Sequence, residues 1–225
     1  APGCSKESGE HSKQKVKDFR LKNLSLCYLE VLNHYFSNKD SSHLYQHKVA
    51  IIAHDMGGPY GHYLLDFLHP KTQMICINSL SGQGIINRKS NPEQLLRSSY
   101  MTLFQLPFVS KKTLNKFWYF LRENAQLLGR SDKALIPSEY DEHILNGLNF
   151  YKALILDTPG FLKKKVWANE VLFIWSKEDP FLVTPTEKEL SRYYENISFQ
   201  TIDTGHWPML DDAKKLAILI SQFVN

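Results

Sequence analysis

The sequence has few cysteines, no long hydrophobic run and no strong excess of one charge. Its three cysteines, Cys4, Cys27 and Cys76, are an odd number without metal-binding spacing, which predicts free thiols in a reducing, cytoplasmic compartment. No apolar run approaches the ~18 residues that a membrane helix requires, so we expect no segment to span a bilayer. The net charge of +4 comes from dispersed lysines and arginines, so nucleic acid is not an expected partner.

The start of the chain lacks both an initial methionine and the apolar segment of a signal peptide. Residues 1–20 are polar and charged without apolar periodicity, which is typical of a loop. We therefore expect the sequence to begin part-way into a longer chain. With 43% apolar and 22% charged residues, the 225 residues are otherwise ordinary for one globular domain, and disorder is not expected.

Short apolar runs alternate with amphipathic segments along most of the sequence. A short apolar, β-branched run without polar alternation at 48–53 suits a strand buried on both faces, and Met74–Asn78 is a second buried strand. Val171–Trp175 and Ile197–Ile202 are also predicted to be strands. Helical spacing or helix-start signals predict helices over Leu21–Phe36, Pro59–Leu68, Pro185–Tyr194 and Asp211–Phe223. Strands that alternate with helices predict an α/β fold with a mostly parallel sheet covered on both faces.

The middle of the sequence differs from its two ends. From about Asn87 to Phe161 the pattern is helical and rich in aromatics, with breaks at Pro107, Pro137 and Pro159. This pattern predicts a helical lid, residues 87–160, inserted into an α/β core formed by residues 1–86 and 161–225.

The first predicted strand runs into a turn with a special composition, Ala53-His54-Asp55-Met56-Gly57-Gly58, which precedes a predicted helix. A small-x-acid-x-small pattern between strand and helix is typical of a nucleophile elbow in which Asp replaces Ser. Small residues at positions 53 and 57 are expected to prevent clashes around the sharp turn. The alternative is an ordinary turn in which Asp55 caps the helix.

Two further polar sites follow the last two predicted strands. Asp179 lies before Pro180, and His206 lies in Gly205-His206-Trp207. Nucleophile, acid and histidine in this chain order match the α/β-hydrolase triad, and ligands of open α/β sheets bind at the carboxyl ends of the strands. A turn-forming Asp179 and a structural His206 are the alternatives.

The identity of the candidate nucleophile selects the reaction. A carboxylate attacking an acyl group would give an anhydride, whereas attack at saturated carbon gives an alkyl ester. Water activated by His206, oriented by Asp179, could then hydrolyse that ester. An epoxide or an alkyl halide is therefore the expected class of substrate.

The sequence resembles the α/β-hydrolase-fold epoxide hydrolases. The resemblance extends from about Leu21 to the C-terminus and rests on a small set of segments, which are 54–58, 98–107, 149–152, 175–180 and 205–207. It implies an epoxide substrate, water and no cofactor. It also implies specific roles: Asp55, Asp179 and His206 as catalytic residues, Tyr100 and Tyr151 as lid tyrosines that donate to the epoxide oxygen, the N–H of Met56 in the oxyanion hole, and His54 and Trp207 beside the substrate. The alternative for each tyrosine is packing within an aromatic-rich lid, and for His54 it is a hydrogen-bonding role.

The sequence departs from that family in three ways. Met56 stands where most relatives carry Trp, which also counts against a haloalkane dehalogenase. The His-Gly-x-Pro segment and the strands that normally precede the elbow are not found, so we expect an incomplete core and an exposed apolar edge on the first strand. There are two alternatives to an active epoxide hydrolase. One is a non-catalytic relative that binds epoxide-like lipids, and the other is a haloalkane dehalogenase. Some relatives carry an N-terminal membrane anchor. His43 and His47 lack a third ligand, so no metal is expected.

Overall fold

The computed structural model describes residues 15–37, 49–88, 91–101, 116, 119, 123, 149–157 and 165–224. Its labelled helices, in chain order, are α1 (Leu21–Ser37), α2 (Gly57–Leu64), α3 (Gly82–Asn87), α4 (Pro92–Arg97), α5 (Glu187–Leu190), α6 (Pro208–Asp211) and α7 (Ala213–Val224). Its strands are β1 (Ala50–His54), β2 (Gln73–Ile77), β3 (Trp167–Ser176) and β4 (Tyr194–Ile202). Short 3₁₀ helices occupy Val16–Phe19 and Leu65–Phe67, and residues 149–157 are helical.

The four strands form one parallel sheet in the order β1-β2-β3-β4. All five residues of β2 and the last six of β3 are buried, because helices cover both faces at the centre of the sheet. Successive side chains alternate between two apolar clusters. Met74 and Cys76 pack with one cluster, while Ile75 and Ile77 pack with the other, which is closed by α7.

The predicted α/β architecture is confirmed, and each predicted strand overlaps an observed one. The helix expected over Pro185–Tyr194 is wrong in extent, because only Glu187–Leu190 is helical. The side chains of Tyr193 and Tyr194 are buried in the core, and Tyr194 already begins β4. The last predicted helix is divided at Asp212, whose backbone φ of −147° is not helical.

The β1 edge of the sheet has the expected exposed apolar character. Among the described residues β1 pairs only with β2, and Ile52 on this strand is 57% exposed. An apolar strand edge of this kind is normally covered or paired in folded proteins.

Most of the predicted lid lies outside the described residues, as do His43 and His47. Its described parts are α4, a few neighbouring positions and the helical stretch 149–157. This stretch packs near the start of α1, where Ala153 joins a cluster with Phe19 and Leu24. The lid boundaries stay a prediction. No described helix is long and apolar enough to cross a membrane.

Candidate active site

Asp55 lies on a sharp turn between β1 and α2. Its backbone φ is +48°, a left-handed conformation that is uncommon for residues other than glycine. The turn is fixed from both sides: Asp55 N–H donates to the carbonyl of Ile77 at 3.2 Å, and the Asp55 carbonyl accepts from Gly58 N–H at 3.1 Å and from the hydroxyl of Ser79. A strained residue held by several bonds is characteristic of a functional turn. The Asp55 side chain is 38% exposed.

The small residues around the turn have different tasks. A Cβ added at Gly57 would make ordinary contact, 3.7 Å, with the Cβ of Ala53, so a methyl group fits there. A Cβ at Gly58 would lie 2.1 Å from the hydroxyl oxygen of Ser79 and 2.4 Å from the carbonyl oxygen of Leu80. The glycine that the close approach requires is therefore Gly58, whereas the sequence pattern indicated positions 53 and 57.

Asp179 and His206 form a buried hydrogen-bonded pair. The Nδ1 atom of His206 lies 2.7 Å from Oδ2 of Asp179. The other carboxylate oxygen of Asp179 accepts from the backbone N–H groups of Phe181 at 2.8 Å and Leu182 at 3.0 Å. Asp179 thus forms the turn proposed as the alternative and also orients the imidazole.

The opposite nitrogen of His206 faces Asp55. Nε2 lies 3.9 Å from Oδ1 of Asp55, longer than a hydrogen bond. Burial lowers the pKa of His206, but the hydrogen bond to Asp179 and the negative charges of Asp55 and Asp179 outweigh it, so the pKa lies above the usual value. The structure therefore brings together the three residues that the sequence predicts as a triad.

Asn78 is a site residue that the sequence pattern did not indicate. It follows β2, is fully buried and has a left-handed φ of +44°. Its Nδ2 donates to the Ser176 hydroxyl at 2.8 Å and to the His206 carbonyl at 3.0 Å, while its Oδ1 accepts from Ser176 N–H at 2.7 Å. The available signal was a polar residue at the carboxyl end of a buried strand, the same signal that identified Asp55.

A cavity of about 480 Å³ opens beside Asp55. Its described lining consists of Asp55, Met56, Asn78, Ser79, Leu80, Ile85, Arg88, Gln94, Leu95, Ser98, Tyr100, Met101, Tyr151, Ile155 and Leu182. The volume is in the range of small-molecule sites, and an apolar wall with a few polar groups is typical of them.

Both predicted lid tyrosines line this cavity. Their ring centroids lie 6.4 Å apart in an edge-to-face arrangement. Burial is the largest cause that raises the pKa of each phenol, and the charge of Asp55 adds to the rise. Tyr100 and Tyr151 are therefore neutral hydrogen-bond donors at ordinary pH. Phe181 contacts Tyr100 edge-on at 5.7 Å and His206 at 5.1 Å between ring centroids.

His54 and Trp207 lie beside the triad and are absent from the described lining of the cavity. The Nε2–H of His54 donates to the His206 carbonyl at 2.8 Å, while Trp207 packs edge-on against the His206 ring at 4.8 Å. Both therefore support the histidine segment in this structure, and their expected contact with substrate stays a prediction. The described residues contain no cluster of three or more metal-ligating side chains.

No family model matches the sequence. Among solved structures, the Bacillus megaterium epoxide hydrolase in complex with an inhibitor superimposes with a TM-score of 0.67 at 18% identity, covering 94% of this chain and 78% of the other. The chain has an α/β-hydrolase fold. Epoxide hydrolase VrEH1 from Vigna radiata gives a TM-score of 0.63 at 14% identity, covering 94% and 77% of the two chains.

Curated relatives point in the same direction. The chain is 29% identical over 176 residues to the AB hydrolase superfamily protein YfhM of Bacillus subtilis, covering 71% of this chain and 60% of the relative. It is 25% identical over 200 residues to human epoxide hydrolase 4, covering 79% of this chain and 54% of the relative. The chain thus spans a little over half the length of these relatives. The resemblance to epoxide hydrolases of this fold is confirmed.

Proposed function

We propose that the protein is an epoxide hydrolase that converts an epoxide to a vicinal diol through an alkyl ester of Asp55. The observation that carries the proposal is the position of the Asp55 carboxylate on a left-handed turn, at the wall of the cavity and 3.9 Å from the imidazole of His206. A carboxylate in place of a hydroxyl favours displacement at saturated carbon over acyl transfer. The names of the relatives support an epoxide as the substrate.

In the first half of the reaction, an oxygen of Asp55 attacks one carbon of the epoxide ring. The bond between that carbon and the ring oxygen breaks, and the oxygen takes a proton from the phenol of Tyr100 or Tyr151. Because burial raises the pKa of both phenols, the lid supplies neutral donors for the developing alkoxide. The phenolate left by this step regains its proton at the end of the second half, when the Asp55 carboxyl gives up the second proton of the hydrolytic water.

In the second half, Nε2 of His206 removes a proton from water, and the hydroxide oxygen adds to the carbonyl carbon of the Asp55 ester. Asp179, hydrogen bonded to Nδ1, stabilises the imidazolium. The backbone N–H of Met56 is the proposed donor to the tetrahedral oxyanion. Collapse breaks the bond between the Asp55 carbonyl carbon and the substrate oxygen. The substrate leaves as a diol once that oxygen has taken the proton from the His206 imidazolium. One oxygen of water remains in the Asp55 carboxylate.

We also propose that residues 87–160 form a lid over the core. Tyr100 and Tyr151 come from two ends of this segment, and they line the same cavity as Asp55, which follows β1 of the sheet. Such an arrangement encloses substrate between an α/β core and an inserted segment, and it excludes water from the first step.

Trapping the ester tests this proposal. His206→Ala is incubated with phenyl glycidyl ether, and the intact mass is measured. We expect an adduct of one substrate mass that maps to Asp55, because ester formation does not need the histidine whereas hydrolysis does. The control Asp55→Asn should form no adduct, and the wild-type protein should release the diol.

Other outcomes favour other functions. If wild-type and His206→Ala proteins bind the ether unchanged and unmodified while melting cooperatively, the protein is a binding protein of this fold. If they release halide from a haloalkane and leave the epoxide intact, it is a dehalogenase. Either result would refute epoxide hydrolysis.

A further inference from the structure

A buried arginine that has no hydrogen-bond partner among the described residues lines the same cavity as Asp55. Arg88 is only 6% exposed. None of its three guanidinium nitrogens has a hydrogen-bond partner in the part of the chain that the structure describes. The guanidinium carbon lies 5.9 Å from the centre of the Trp175 ring, within reach of a cation–π contact.

This arrangement is unusual because a buried charge normally has a paired acid or a set of acceptors. Arg97, on the neighbouring helix α4, shows the ordinary pattern: it donates to the carbonyls of Asp179 and Leu182 and forms an ion pair with Glu93 at 2.7 Å. Arg88 caps the end of α3 through its backbone N–H, which bonds to two carbonyls of that helix, but its side chain has no such role. The guanidinium is therefore available to a ligand.

The charges near Arg88 come from outside the catalytic group. Burial is the main cause that lowers the pKa of Arg88, and the positive charge of Arg97 lowers it further. The negative charges of Glu189 and Glu93 raise it. Asp55 is not among the charges that shift the pKa of Arg88. Both acids already have partners, since Glu189 closes the cap of α5 and Glu93 binds Arg97. Arg88 and Asp55 nevertheless line one cavity.

We propose that Arg88 forms a subsite for a carboxylate carried by the ligand of this cavity. The planar guanidinium presents paired N–H donors that match a carboxylate in a bidentate manner. A single unpaired cation, with Glu189 and Glu93 adding negative potential, suits a monoanion better than a doubly charged phosphate ester.

The rest of the lining defines the body of the ligand. Apolar side chains form most of the remaining wall of the cavity, namely Leu80, Ile85, Leu95, Met101, Ile155 and Leu182. The preferred ligand is therefore an apolar chain with a carboxylate at one position and, if the proposed hydrolase function holds, an epoxide at another. This second condition rests on the proposed function, whereas binding of the carboxylate does not.

Equilibrium binding tests the subsite without any turnover. Octanoate, octanamide and octyl phosphate have matched chains, and their dissociation constants are measured by calorimetry at pH 7. We expect the wild-type protein to bind octanoate at least about tenfold more tightly than octanamide, since a charge-assisted pair in a buried site is worth ~1.4 kcal/mol or more. Equal affinities, or tighter binding of octyl phosphate, would overturn the proposal.

Variants assign the preference to one side chain. Arg88→Met should abolish the preference for octanoate while leaving octanamide binding unchanged, and Arg88→Lys should retain part of it. Arg192→Met is a matched control, because it removes the same charge from an exposed position. A preference that survives in Arg88→Met, or that disappears in Arg192→Met, would contradict the assignment. Arg88→Met is expected to have a melting temperature no lower than that of the wild-type protein. If Arg88→Met does not fold, Arg88→Lys replaces it as the test variant.

Kinetics separate this proposal from the proposed function. 10,11-Epoxyundecanoate and its methyl ester are a matched pair of substrates. Arg88→Met should raise KM for the acid about tenfold and leave kcat for the acid unchanged, because the contact is made equally in ground and transition states. KM and kcat for the methyl ester should not change. Diol formation without any preference for the acid would refute the subsite alone. Octanoate preference without diol formation would refute the hydrolase alone.

Discussion

Acidification is expected to destabilise the protein through one buried histidine outside the triad. His62 on α2 is 2% exposed, and its Nδ1–H donates to the carbonyl of Gly58 while Nε2 accepts from the hydroxyl of Tyr194 at 2.8 Å. Burial is the main cause that lowers its pKa from 6.5 to about 4. Between these two values the unfolded chain binds a proton that the folded protein excludes, so stability falls as the pH falls through this window.

The magnitude follows from the two pKa values. Linkage gives a loss of about 2 kcal/mol on going from pH 7 to pH 5, approaching about 3 kcal/mol below pH 4. Other groups titrate in the same range, so the contribution of His62 is isolated by comparison with His62→Gln, which keeps a polar side chain near Tyr194 but cannot titrate. The free energy of unfolding is measured in urea at pH 7 and pH 5.

We expect the wild-type protein to lose about 2 kcal/mol more than His62→Gln over this interval. His34→Gln, which removes an exposed histidine on α1, is the matched control and should lose as much as the wild-type protein. Equal losses in wild-type and His62→Gln proteins would refute the reasoning, because they would show that His62 titrates alike in the folded and unfolded states.

Two further predictions concern the turn and the triad. Gly58→Ala should lower the free energy of unfolding, measured in urea, by about 3 kcal/mol or more, because its methyl group would lie 2.4 Å from the Leu80 carbonyl oxygen. Gly57→Ala should lower this free energy far less. Equal losses in the two variants would contradict the close approach at Gly58. Under the proposed mechanism, hydrolysis of the Asp55 ester should become faster as the pH rises, because His206 must lose its proton to act as a base in that step. The pKa of His206 is raised by Asp179 and Asp55, and the rise in rate should lie at lower pH than this implies because Asp55 is neutral in the ester. Rapid-quench decay of the ester that does not change with pH would contradict the role of His206.

Sequence patterns with a simple physical cause predicted much of this molecule. The buried strands were visible because parallel strands covered on both faces need uninterrupted apolar runs, as at Met74–Asn78. The triad candidates were visible because each polar residue follows a strand. The shortened helix at Glu187–Leu190 was not, because its end is set by the burial of Tyr193 and Tyr194 in the core rather than by local propensity. This kind of tertiary override leaves no periodic signal.

Contacts between distant segments were also beyond the sequence. The partners of Asn78 lie 98 and 128 residues further along the chain, and no local pattern specifies them. That the Arg88 side chain has no hydrogen-bond partner in the described part of the chain is likewise a property of the packed structure, because the sequence shows only one more arginine. The resemblance implied that His54 and Trp207 lie beside the substrate, but neighbours of Asp55 and His206 in sequence can point away from a cavity.

Asn78 and Ser79 connect both halves of the proposed reaction to one short segment after β2. The Ser79 hydroxyl donates to the backbone carbonyl of Asp55, which helps to hold the nucleophile on its left-handed turn. The neighbouring Asn78 amide donates to the backbone carbonyl of His206, which helps to hold the base. Because the two side chains support different reacting groups, removing each should slow a different step.

We therefore expect a kinetic separation between two adjacent alanine variants. Ser79→Ala should slow formation of the Asp55 ester, whereas Asn78→Ala should slow its hydrolysis and let the ester accumulate, each by about tenfold, as for the loss of one positioning hydrogen bond of ~1.4 kcal/mol. Rapid quench followed by intact mass measures ester formation and decay in single turnovers. A merely structural role would lower both rates together and leave no accumulated ester, and that result would show that the segment supports the fold rather than the two groups separately.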